Sequence, residues 1–454
     1  MEASDPASGT TAARRVPLSA VLRGRRGFFL VALLLAEFGA AMQGIAYSTI
    51  LPLVAEDLDG FGLFGATLAA GNIAAVAMLA LAPRLLGRFR PGVVLFAATV
   101  LYIAGAALAV FAPAMAWVLA GTVVRGVAAG LLAGVGMGAI GALYDEDERP
   151  RVFGLFSLVW LLPSFVGPAL NAVVAEWAGW RWALAWPAIL VLLARLLMGR
   201  YIGAIPWEPH RSSARPAVGL AVAGVLALGA AGSSAAGPWG IAAFVVGVLS
   251  AAAGISLFLA RGSGAAAGRV LRCFALVCAA YFGVYELLSL TVVEGLGESV
   301  VWASVAISAA LVAWSVVGLR PMPRARVDAV VVGTGLILAS IVGMAAAVQL
   351  FPPSWALVVI IASAVLAGLG MGLSYPLLSS EPFTVSGGVP ASTTGALVAF
   401  AETAGTAWAA LVGGGLYSLA HASGLAARPS LFLVFLALGV VSMAAIVTAV
   451  RRRR

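Results

Sequence analysis

AWVLAGTVVRGVAAGLLAGVGMGAIGALY (116–144) decides the fold. It is one apolar run rich in small residues, with a single charge, Arg125, well inside it. A polar turn, DEDERPR (145–151), follows, and the next apolar run carries Gly167-Pro168 near its far end. At about 1.5 Å of rise per helical residue the first run can cross a hydrocarbon core of about 30 Å, with Arg125 roughly 15 Å inside it. A charge at that depth costs about 2.5–3.5 kcal/mol to insert. Arg125 therefore marks a site, or else it is a structural residue satisfied by carbonyls of a neighbouring helix.

Working outward, the whole chain has the same character. Of 454 residues, 62% are hydrophobic and only 10% charged, and the mean hydropathy is +1.07. Soluble domains carry about a quarter charged residues. The apolar runs are near 20 residues rather than short alternations, so the class is an all-α polytopic membrane protein and not a β-barrel. The net charge of +9 comes with 27 basic residues, all of them Arg. Most lie in alternate short loops, which reads as membrane topology and contact with anionic lipid, not as nucleic-acid binding. Cys273 and Cys278, five apart in one apolar run, are expected to be unpaired small hydrophobes.

Fourteen spans are predicted, near 28–51, 62–84, 91–112, 115–141, 152–175, 182–201, 216–235, 238–260, 271–293, 300–318, 328–349, 354–378, 391–418 and 430–450. They group as a tail (1–26), six helices (27–201), a loop with two extra helices (202–267), six more helices (268–450) and an Arg tail (451–454). The architecture expected is two six-helix bundles plus two linking transmembrane helices. The two linking spans are Gly/Ala-rich and short; without them twelve spans would remain, with the same Arg pattern. That pattern (the N-terminal tail, Arg84/Arg88/Arg90, Arg149/Arg151, Arg200/Arg211/Arg215, Arg261/Arg269/Arg272, Arg320/Arg324/Arg326 and RRRR) predicts a plasma-membrane protein with both termini cytoplasmic.

Glu37, Glu286 and Glu402 are read as the ionisable residues that accompany Arg125 at mid-depth. Unpaired, the four together would cost about 10 kcal/mol to insert. A carboxyl group removed from water can exchange a proton near neutral pH, as proton coupling requires; the alternative is a static Glu–Arg pair that locks helices. Glu37 opens the first set of six and Glu286 the second, so repeats would place them at near-equivalent positions facing one cavity. Gln43, Tyr47, Tyr281 and Tyr285 are weaker cavity candidates. Gly130, Gly134 and Gly138, and Gly368, Gly370 and Gly372, provide close-packing helix faces. Pro163 and Gly167-Pro168 distort the fifth span, as a structural kink or a functional hinge.

Several classes are excluded. Without any Lys there is no Walker A phosphate loop. His210 and His421, both in predicted loops on opposite sides, build no metal site. The acidic run 145–148 has no second acidic cluster to form a diphosphate site with, so it reads as a solvated loop.

These motifs carry a resemblance over roughly 28–450. RGVAAG (125–130), PSFVGPALN (163–171), GWRWALAWPAILVLL (179–193), GLGMGLSYP (368–376) and AETAGTAWAALVGGG (401–415) resemble the major facilitator superfamily, in its fourteen-helix drug:proton antiporter branch. The resemblance implies a role for Arg125 in proton coupling and places the antiporter Gly-Pro pair on Gly167 and Pro168. In APRLLGRFRPG (82–92) the gate-loop residues Gly87, Arg88 and Arg90 are kept, but Arg84 stands where the family has Asp. Gln43 and Ser48 replace the first-helix Asp and Asn, and Asn171-Ala172 replaces a double Gly; Glu37 is the acid that would compensate.

The function expected is proton-coupled efflux of a drug-like or amphipathic small molecule by alternating access. The partners expected are the cargo, protons and membrane lipid, with a monomeric assembly, no cofactor beyond the proton gradient, and no metal, nucleic acid or enzymatic activity. The alternatives are proton-coupled uptake of a small metabolite or siderophore on the same fold, and a non-transporting membrane enzyme or lipid scaffold.

Overall fold

The computed structural model describes residues 17–60, 63–205, 207, 209, 215–234, 237–319 and 327–452. Residues 1–16, His210, Arg211, Arg320, Arg324, Arg326, the last two Arg, and the side chains of Ser48 and Pro168 lie outside the described residues.

A short helix, α1 (Leu18–Val21), precedes fourteen long ones. The first six are α2 (Gly24–Asp57), α3 (Phe64–Arg88), α4 (Pro91–Val110), α5 (Met115–Leu143), α6 (Arg149–Ala178) and α7 (Trp180–Tyr201). Two extra helices follow, α8 (Pro216–Ser234) and α9 (Pro238–Gly262). The last six are α10 (Gly264–Leu290), α11 (Val300–Gly318), α12 (Val327–Leu350), α13 (Pro353–Val385), α14 (Ala391–Ala422) and α15 (Ala427–Arg451). Thirteen of these are long and apolar enough to cross a membrane, and α6 is the fourteenth long helix. Both linking spans are helices. His421, expected in a loop, lies in the last turn of α14 and stacks on Tyr417.

The punctuation is written locally. Pro91, Pro238 and Pro353 occupy first-turn positions of α4, α9 and α13, where the missing N–H costs nothing. Gly179, with φ 86°, turns α6 directly into α7, a conformation that a side chain disfavours. Cys273 and Cys278 are buried and free.

Packing follows one pattern twice. In the first set α2 packs on α6 and α7, α3 on α5, and α4 on α5 and α7. In the second α10 packs on α14 and α15, α11 on α13, and α12 on α13 and α15. The crossings repeat too: α3 meets α14 as α11 meets α6, and α5 meets α14 as α13 meets α6. This is the contact pattern of two six-helix repeats. The extra pair pack on each other, with α8 against α3 and α14 and α9 against α10 and α14.

The contacts that hold the sets together cluster on the face of the Arg-bearing turns, here the basic face. A Cβ on Gly138 would come 2.9 Å from Ser392 Cα, and Gly395 faces Gly138 and Met137 with no room for a side chain. Arg151 donates to the Leu319 carbonyl, and Arg149 stands over the Phe383 ring at 5.3 Å. Small residues permit this backbone approach, and half-buried Arg side chains secure it.

Candidate functional site

The site begins on α2. Glu37 is 13 residues into the helix (37 minus 24), roughly 20 Å along its axis. On α14, Glu402 is 11 residues in (402 minus 391), roughly 16 Å. These helices belong to opposite sets and both run from the basic face, so their acids lie at similar depth. Glu37 lies within electrostatic reach of Glu402 and of Tyr375 on α13. The Tyr375 hydroxyl donates to Glu402, 3.1 Å from Oε2 and 3.3 Å from Oε1.

The cation near Glu37 is Arg195 of α7, a fifth intramembrane charge beyond Arg125 and the three Glu. Arg195 is 6% exposed and stands 4.3 Å from the centre of the Tyr102 ring. Its signal was present: one Arg inside VLLARLLM (191–198), two turns from the basic end. Arg125 is also buried but differently placed. It lies over the Tyr47 ring at 3.8 Å and donates to Thr122 Oγ1 at 3.2 Å. Between the two Arg side chains, Tyr102 donates to Gln43 Oε1 at 3.2 Å, and Gln43 Nε2 donates to the Leu184 carbonyl at 3.1 Å. A polar chain thus runs from buried Arg125, Tyr102 and Arg195 to half-buried Glu37 through four helices of the first set. Gln43, expected to line open space, is 5% exposed and uses its amide to tie α2 to α4 and α7.

The second set supplies aromatic surface. Tyr281, Trp314 and Tyr375 meet edge to face at 5.3 Å between centroids, and Tyr285 stacks on Tyr281 at 6.1 Å. Tyr281 is fully buried in this cluster, so its ring packs rather than lining an open surface. Phe153 of α6 reaches across to Tyr375, linking the cluster to the first set. Glu286 is on an exposed face of α10 beside half-exposed Tyr285. It is 22 residues into α10 (286 minus 264), against 13 for Glu37 in α2. The two acids are on equivalent helices, and the acid within electrostatic reach of Glu37 is Glu402.

The gate and hinge candidates fall as follows. α6 runs on through Pro163, Gly167 and Pro168; a Cβ on Gly167 would come 2.9 Å from Ile45 Cγ2, so this Gly seats α6 on α2. Gly87 is buried in α3, while Arg88, over Phe89 at 5.6 Å, and Arg90 are exposed. The Arg side chains that bridge the sets are instead Arg149 and Arg151.

A bundle with two six-helix repeats, and acids of both repeats within electrostatic reach at mid-depth, defines a polytopic protein of the transporter fold. Residues 33–413 match the family model of the Major Facilitator Superfamily, and the chain belongs to that family. Its relatives include the multidrug transporter protein MdtP of Bacillus subtilis, 22% identical over 39% of this chain and 34% of its own length. The multidrug efflux pump SdrM of Staphylococcus aureus is 24% identical over 37% of this chain and 38% of its own. The chain thus spans only about a third of each of these relatives. Among solved structures, the fold matches the proton:xylose symporter XylE, with TM-score 0.65 at 15% identity over 92% of this chain and 94% of that one. It also matches the human organic anion transporter MFSD10, with TM-score 0.63 at 16% identity over 92% and 100%.

Proposed function

We propose that this protein is a proton-coupled exporter of amphipathic or cationic small molecules, set in the plasma membrane with both termini and the basic face in the cytoplasm. Residues 27–201 and 268–450 are the two rocking units, and 202–267 joins them. The observation that carries the reading is that Glu37 and Glu402, from opposite sets, lie within electrostatic reach of each other, with Arg195 near the first and Tyr375 bonded to the second. Two carboxylates in one low-dielectric site repel when both are charged, and a single proton relieves the repulsion. The two belong to units that move apart when the basic face opens, so proton occupancy biases the rocking equilibrium. A ligand acts on such an equilibrium only through its different affinity for the two states.

Cargo supplies the opposing bias. A lipophilic cation finds aromatic surface at the partly exposed Phe282 and Tyr285, which pack on the buried Tyr281, and a carboxylate at Glu286 or Glu402, a combination suited to cation–π contact. Binding a cation at a protonated carboxyl expels the proton, which is exchange. Arg125 stiffens the first set through Tyr47 and Tyr102. Its partners, cargo, protons and lipid, imply no cofactor and no catalysis. Multidrug relatives favour export over uptake for the same fold.

The test is proton release on cargo binding. Purified protein in weakly buffered detergent receives a panel of lipophilic cations. The proposal expects stoichiometric acidification with at least one of them, absent in Glu402→Gln. Cation binding without proton release, at every pH tried, overturns exchange.

A further inference from the structure

The extra helix α9 creates a cavity that neither repeat would have alone. It has a volume of about 320 Å³ and lies between α9, α10, α14 and α15 toward the basic face. Trp408 of α14 forms one wall and donates Nε1 to the Val248 carbonyl at 2.8 Å, clamping α9 in place. The inner end is apolar, with Ile255 of α9 and Leu276 of α10. Its rim carries four guanidinium groups, those of Arg269, Arg272, Arg451 and Arg452.

Charge at this rim is not balanced within the described residues. Arg452 is 6% exposed and pairs with Glu381 at 3.2 Å, and Arg272 Nε donates to the Gly268 carbonyl at 3.1 Å. The buried Nε atoms of Arg269 and Arg452 have no hydrogen-bond partner. Four cations and one carboxylate around an amphipathic hollow call for an anion. The surroundings say which kind. On α15, Val440 and Val447 are exposed apolar side chains on the same helical stripe as Arg451, and on α9 the exposed Leu249 is one turn from Ala252 of the cavity wall. Apolar stripes that face hydrocarbon lead directly to the Arg rim.

We infer that this cavity holds the headgroup of an anionic phospholipid, whose phosphate bridges Arg269, Arg272 and Arg452 while its chains follow the outer faces of α9 and α15. The hollow is too small for a whole lipid and the right character for a phosphodiester with an apolar neighbour. Basic pockets between transmembrane helices bind anionic headgroups in this manner. Occupancy would fix α9 to the second set, against α10, α14 and α15.

The experiment is native mass spectrometry of the full-length protein in detergent, titrated with phosphatidylglycerol or phosphatidylcholine. The expected result is retention of phosphatidylglycerol at about tenfold lower lipid concentration, since each basic side chain near a headgroup contributes attraction. The double variant Arg269→Gln/Arg272→Gln loses the preference, while Arg84→Gln/Arg88→Gln, on a distant basic turn, keeps it. Ser256→Trp, which fills the hollow and leaves the Arg rim intact, also loses it, and it decides the question should the double variant fail to fold. Inorganic phosphate in large excess leaves the adduct in place. Equal retention of the two lipids, a preference that survives Ser256→Trp, or displacement by phosphate alone would overturn the lipid site; the last would indicate a free-anion site instead.

Discussion

Arg195 and Glu37 show what a single residue does in this protein. Arg195 is buried and Glu37 half-buried on a different helix, and opposite charges placed near each other each lower the cost of the other. A double-mutant cycle on thermal stability with Arg195→Leu and Glu37→Gln should give a coupling of about 0.5–3 kcal/mol; strictly additive effects would dissolve the pair. Outside the spans, Tyr144 ties the first unit's basic end together. Its hydroxyl is 3.0 Å from the Val21 carbonyl and 2.9 Å from that of Arg26, to which it donates. Burial pushes its phenol up to about 12. A raised tyrosine favours the protonated form on folding, so its contribution is complete below the ordinary value near 10 and fades only as the pH passes about 12. Tyr144→Phe should cost about 1 kcal/mol, unchanged between pH 6 and 9 in thermal unfolding scans. A cost that varies across that interval would contradict the assignment.

At the scale of elements, the joint between α5 and α14 is the closed side of the molecule. Gly138 and Gly395 let the two backbones touch, so a side chain there acts as a wedge. Gly138→Leu should favour the state open on the basic face, at an overpacking cost of about 1–3 kcal/mol. The readout is a Cys placed at Ala396, which is fully buried: its reaction with a thiol reagent should be faster in the Gly138→Leu background. An unchanged rate would show that α5 and α14 part elsewhere. The sequence makes this element scale legible because a span is a local property. Fourteen apolar runs, their Pro starts and the Arg-bearing turns all stand in the chain as read. What meets what is not local. That Glu402 and not Glu286 comes within electrostatic reach of Glu37 depends on how two repeats are rotated against each other, and no residue near Glu37 encodes that rotation. Arg195 was legible and overlooked, since it sits close to Arg200 at the flank of its span. Arg149 and Arg151 looked like topology residues because a short turn carries them, and only packing against α11 and α13 makes them bridges.

For the whole molecule, the claim is that one proton site lies between two units and reports their separation. On that claim the ingredients come from both repeats, and neither repeat would exchange protons alone. The decisive measurement is internal pH in proteoliposomes under an imposed pH gradient, with a lipophilic cation that acidified the detergent sample added outside. Wild type should show cargo-driven proton flux, and Glu37→Gln and Glu402→Gln should each reduce it at least about a hundredfold, since loss of the exchanging group removes a step rather than weakening it. Glu286→Gln should retain the flux and change the choice of cargo. Undiminished flux in both Glu37→Gln and Glu402→Gln would contradict the account.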